Sequence, residues 1–124
     1  MIIKTGKYFF SVLLIVVLPD LLCGQTDRLR FERISTDDGL SSNHITHIFQ
    51  DEKEFLWIST QDGFNRFDGY KFTHFRHLPG NTNSLSDYAA GHIYEDSKGN
   101  FWISTRDGLN VFDPATETFT HYNP

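Results

Sequence analysis

A chain of 124 residues, 39% hydrophobic, 15% aromatic and 22% charged, has room for one small domain and is too apolar for disorder. Its formal charge of −5 leaves no basic patch to hold a phosphate backbone, which excludes nucleic acid as a partner of this stretch. A single cysteine excludes an internal disulfide and a cysteine-built four-ligand zinc site, and 12 Phe against one Met favour strands over helices.

Residues 1–24 read as an export signal. Lys4 and Lys7 supply the positive start, and Tyr8 to Leu18 is an apolar run of 11 residues. Pro19 and Asp20 interrupt it, short of the roughly 20 apolar residues that a spanning helix needs. Cleavage between Gly24 and Gln25 is expected. The alternatives are an uncleaved N-terminal anchor and a lipoprotein cut before Cys23, for which Leu22 is a poor preceding residue. Cleavage at Gly24 removes Lys4, Lys7, Asp20 and Cys23, leaving a net charge of −6 and no free thiol in an oxidising compartment.

After the signal, Arg28 to Ile34 (RLRFERI) has the pattern of a strand. Ile45 to Gln50 is apolar and β-branched enough for another, and a polar turn separates it from Leu56 to Thr60. Asp62-Gly63 is a hairpin dipeptide, Phe64 to Phe67 alternates apolar and polar, and Asp68-Gly69 leads into Lys71 to Phe75. The same order then returns as Gly91 to Glu95, Phe101 to Thr105, Leu109 to Phe112 and Thr118 to Tyr122. A shift of 45 residues superimposes the two runs, and 15 of 29 positions from Leu40 to Asp68 are identical without a gap. The fold expected is all-β. It consists of two four-stranded antiparallel propeller blades, residues 40–78 and 85–124, with 28–34 as a possible ring-closing outer strand. Trp57, Phe67, Trp102 and Phe112 are the expected repeat core. Two blades alone bury one interface and leave two apolar faces in water, which predicts self-association.

The run from Phe31 to Phe75 resembles the two-component regulator propeller repeat. Its hallmarks are Asp38-Gly39-Leu40-Ser41, Ile48-x-x-Asp51, Leu56 to Thr60, and Gln61 to Gly69. The second copy carries Asn83 to Ser86, Asp96, Gly99 to Thr105 and Asp107 to Asn110, and departs at Pro114-Ala115-Thr116. The resemblance implies the N-terminal periplasmic sensor region of a Bacteroides-type hybrid two-component histidine kinase. It further implies glycan fragments as the signal, control of polysaccharide-utilisation genes, and a homodimer. No spanning segment or kinase follows, and the chain stops at Asn123-Pro124 in an inter-blade linker, so an N-terminal fragment is expected. Membrane attachment would come only through a missing C-terminal region or an uncleaved signal.

Few residues invite chemistry. His47 and His92 are repeat-equivalent, as are His74 and His121, which argues for architectural positions; His44 and His77 lack counterparts. No metal site and no cofactor is expected. Asp62 and Asp107 each belong to an Asp-Gly turn rather than to an acid/base pair, and no nucleophile elbow is present. The expectation is a binding module without catalytic machinery. Arg66, Tyr70, Tyr88 and Arg106 differ between copies while their neighbours repeat, so they are the candidate oligosaccharide contacts. The other reading is a secreted stand-alone propeller, acting as a carbohydrate-binding or scaffold protein or as a propeller-fold lyase.

Overall fold

A computed structural model describes residues 29–123. The signal segment 1–24, its Gly24–Gln25 junction, Arg28 and Pro124 lie outside the described residues. The chain divides into a unit ending at Glu32 and a second, Arg33–Pro124, that holds the sheets. All regular structure among the described residues is β, apart from a 3-10 turn at Thr36–Asp38 capped by Ser35. Residues 29–34 differ from the strand expected there. They have no ladder partner among the described residues, and Leu29 and Phe31 are 82% and 90% exposed. A β conformation is held by its neighbour, and an apolar alternation without one stays irregular.

The first sheet runs in order through β1 (Ile45–Gln50), β2 (Leu56–Thr60), β3 (Gly63–Phe67) and β4 (Phe72–Phe75). The second repeats the order with β5 (Ile93–Glu95), β6 (Phe101–Thr105), β7 (Gly108–Asp113) and β8 (Thr118–Tyr122). Every pairing is antiparallel, and Trp57↔Arg66 and Trp102↔Val111 fall at equivalent registers.

The repeated residues explain this symmetry through hydrogen bonds within each blade. Asp51 Oδ1 accepts from the backbone N–H of Lys53 and Phe55, while its Oδ2 accepts from Trp57 Nε1 at 2.8 Å. Asp96 does the same for Lys98, Asn100 and Trp102 Nε1. One carboxylate therefore closes a turn and orients the large indole beyond it. At the opposite end, Gly63 and Gly108 both adopt φ of 119°. A Cβ there would stand 2.9 Å from the Phe75 carbonyl oxygen and 2.7 Å from that of Tyr122. Only glycine fits both the angle and the space.

The Leu-Ser entry to each blade is latched to its own sheet. Buried Asn65 accepts from Ser41 N–H and donates to the Ile58 carbonyl. Buried Asn110 accepts from Ser86 N–H at 3.0 Å and donates to Ser86 Oγ and Thr105 Oγ1. His74 Nε2 meets the Gly39 carbonyl and His121 Nε2 the Ser84 carbonyl, each at 2.6 Å. The repeated histidines of β4 and β8 are thus tethers for the chain that enters the blade.

Between the sheets, the backbones come nearest at β1 and β5. Aromatic side chains fill the space beyond. Trp57 stacks on Phe64 at 5.1 Å and meets Phe101 and Phe112 edge-on at 4.9 and 5.4 Å. Phe75 reaches Phe112 at 4.8 Å, and Phe119 closes the cluster. Trp57 and Phe112 are 1% and 0% exposed. Their repeat partners Trp102 and Phe67 differ from the expected core by being only half-buried, because each points away from the shared interface. Trp102 stacks on Tyr122 and Phe67 on Phe72, on two outer faces that also expose Tyr94 at 70% and Ile48 at 55%.

Trp57→Ala should cost about 3–5 kcal/mol of unfolding free energy, and Trp102→Ala well under half of that, because only the first empties a closed cavity. Urea unfolding of the two variants checks this, and equal losses would contradict the packing described. In a separate test, Asn110→Leu should cost about 1–3 kcal/mol by leaving Ser86 N–H and its neighbours unpaired.

Candidate functional site

Antiparallel hairpins put the β2–β3 and β6–β7 turns at one end of the blades, with the linker that joins them. The remaining turns lie at the other end. Each end carries a groove, and the four candidate contacts divide between them.

The first groove, of about 580 Å³, runs between the linker and the β6–β7 turn. Asn81, Thr82, Arg106, Asp107, His121 and Asn123 give it a polar lining. Linker residues 78–84 are held by a compact net. Ser84 Oγ accepts from Leu78 N–H at 3.0 Å and donates to the Asn81 carbonyl, and Asn81 Oδ1 accepts from Asn83 N–H. His77 Nδ1 meets the Leu85 carbonyl at 2.7 Å, and its ring packs edge-on against Tyr88 at 4.9 Å. Tyr88 is 57% exposed beside the groove and Arg106 lines it. A fixed, hydroxyl- and amide-rich trough with one cation and one part-exposed aromatic suits a neutral polar ligand.

The second groove, of about 350 Å³, opens between the blades at the β1–β2 and β5–β6 turns. Arg66 spans it. Its guanidinium lies over the rings of Phe55, Trp57 and Phe75 at 5.5–5.9 Å and pairs with Glu117 Oε1 at 2.8 Å. Arg66 is therefore committed to joining the two blades. Tyr70 stands 96% exposed in the β3–β4 turn, where Asp68 Oδ1 accepts from its N–H. The bond from Lys71 N–H, and then that from Tyr70, hold the Asp68 carboxyl below the usual aspartate range.

Carboxylates crowd this second groove. Burial first, and then the charges of Glu52, Asp51 and Asp96, push the Glu95 carboxyl above its ordinary value of 4.5. The neighbouring Asp96 moves the other way, lowered by the Trp102 indole N–H and then by Asn100 N–H. Asp62, one of the two turn aspartates, pairs with Arg76 at 3.3 Å.

The structure also joins residues that their spacing keeps apart. His47 and His92 face each other with Nδ1 atoms 3.2 Å apart. Repeat equivalence argues against a convergent site when the blades are considered singly. In stacked blades, however, equivalent positions on successive innermost strands become neighbours. The 45-residue offset is itself the signal.

Known proteins resemble this chain in sequence and in fold. Residues 39–62 and 84–107 both match the model for the two-component regulator propeller. These are the segments that run from the Leu-Ser entry to the Asp-Gly turn, so both repeats are similar to that family over this stretch. Histidine kinase P4 of Formosa agariphila is 38% identical over 77 residues, which is 62% of this chain and 6% of the kinase. An extracellular domain assigned to a one component system of B. thetaiotaomicron is 30% identical with a TM-score of 0.59, covering 75% of this chain and 14% of its own. A further extracellular domain, assigned to a hybrid two component system of the same organism, aligns at 23% identity and a TM-score of 0.42, over 74% of this chain and 20% of its own. The chain thus spans a small part of the relatives it matches. Among the described residues, no helix is long and apolar enough to cross a membrane.

Glu95→Gln should stabilise the fold at pH 7. A carboxyl whose folded value is raised ionises at extra cost, so its burden is absent below pH 4.5 and grows as pH rises through the raised value. Denaturant midpoints across this range should diverge with rising pH; parallel curves would refute the crowding.

Proposed function

We propose that this chain is part of the ligand-sensing propeller of an exported signalling protein, placed on the periplasmic side of the inner membrane. On this reading it is a binding module rather than an enzyme. The observation that carries it is the match of both blades, in register, to a two-component regulator propeller, together with a 30% identical fold in the extracellular domain of a one component system. The export signal read at residues 1–24 agrees with that placement.

The ligand on this reading is an oligosaccharide, held in the first groove. Sugar rings present apolar faces and a rim of hydroxyls, and Tyr88 offers a ring to stack while Arg106, Asn81 and Asn123 offer hydrogen bonds. Tyr70 stands at the far end and would meet a different ligand segment or none. Arg66, half-buried in its clamp, supports the blades instead.

Two experiments test this. A phosphatase active only outside the cytoplasm, fused after Gln25, should be active in cells; an inactive fusion would refute export. Isothermal titration of the intact sensor with plant and microbial oligosaccharides should find a binder. Tyr88→Ala should then weaken it about tenfold, as expected for a contact of ~1.4 kcal/mol. Undiminished affinity in both Tyr88→Ala and Arg106→Ala would move the ligand elsewhere.

A further inference from the structure

We propose that His47 and His92 form a two-imidazole chelate for a divalent transition-metal ion at the inner edge of the blade interface. This rests on the pair's own geometry and does not depend on the sensor reading.

Two ligand nitrogens bound at 2.0–2.1 Å in a roughly tetrahedral arrangement lie about 3.3 Å apart. The two Nδ1 atoms are 3.2 Å apart, with ring centroids 5.0 Å apart and planes inclined at 64°. Without metal, the same distance is that of an N–H···N hydrogen bond in which one ring donates and the other accepts. Metal binding requires the donor ring to take the other tautomer, with its proton on Nε2. Neither Nε2 has a hydrogen-bond partner among the described residues, so solvent receives that N–H.

The backbone at both positions is already fixed. His47 is paired with Ser59 across β1 and β2, and His92 N–H donates to Ser104 Oγ at 2.9 Å. Ser104 N–H in turn donates to the His92 carbonyl at 3.1 Å. Thr46 Oγ1 donates to the Ala90 carbonyl at 2.6 Å, tying the two blades together one residue before His47. Holding both backbones in place, with the rings already in contact, removes part of the entropic cost of chelation. Among the described residues no group of three or more His, Cys, Asp or Glu gathers here. Water therefore completes the coordination, and the site is open and exchangeable. Imidazole pairs of this kind take copper more tightly than nickel or zinc.

The test uses the full chain, first without substitution. On titration with Zn²⁺, the ring nitrogen resonances of His47 and His92 should move together and saturate at one equivalent. Cu²⁺ should bind more tightly by calorimetry, and His47→Gln and His92→Gln should each abolish the saturable step while His44→Gln leaves it intact. Resonances of His47 and His92 that do not respond to zinc would overturn the proposal. So would saturable binding that survives either His47→Gln or His92→Gln. Because the resonances are followed on the unsubstituted chain, the outcome does not depend on whether the variants fold.

Discussion

A four-stranded sheet with large apolar side chains on both faces cannot rest in water alone, and residues 33–123 are organised by that constraint. Trp57 marks the place where it is met. The indole is set by a hydrogen bond to Asp51, stacks on Phe64 within its own blade, and presents its edges and face to Phe101 and Phe112 of the next. The core of the described fold lies in this join rather than inside either sheet. Because both sheets converge at β1 and β5, the aromatic rings have to be bulky farther out, which accounts for a composition rich in phenylalanine.

Polar interactions have a different task. Asn65, Asn110, Ser41, Ser86, Thr60 and Thr105 are knit within their blades, where each satisfies a backbone or hydroxyl group that burial would otherwise strand. Far fewer polar contacts cross between blades. Among the described residues, Arg66 with Glu117, Thr46 with the Ala90 carbonyl, Ala90 N–H with the Thr60 carbonyl, and the His47–His92 pair are among those that fix the mutual placement of the sheets. The non-specific burial supplies most of the attraction, and these few directional contacts set the angle and register.

Much of this is legible in the residues. Strand positions follow from alternation and from Asp-Gly turns, since both reflect local backbone preference, and β1, β2, β6 and β8 begin and end where the sequence places them. Burial is less legible. Trp57 and Trp102 each open an identical Trp-Ile-Ser-Thr run, yet one is enclosed and the other half-covered, because burial depends on what stands opposite and not on the strand itself. Arg66 has the pattern of a surface contact because its repeat position varies; its commitment to three rings and Glu117 arises only when the next blade is in place. The His47–His92 contact is hidden for the opposite reason. Its residues match too well, and equivalence reads as separate structural duty in each repeat.

The latch between each entering segment and its own sheet bears on how such chains change over generations. Gly39 and Ser41 are bound to His74 and Asn65, and Ser84 and Ser86 to His121 and Asn110, so a repeat carries both halves of its own fastening. A recombination event that copies or deletes one whole 45-residue period leaves every fastening with its mate, whereas one that shifts the breakpoint into the period separates them. The Arg66–Glu117 clamp, by contrast, is split across two periods and is kept only when both stay side by side.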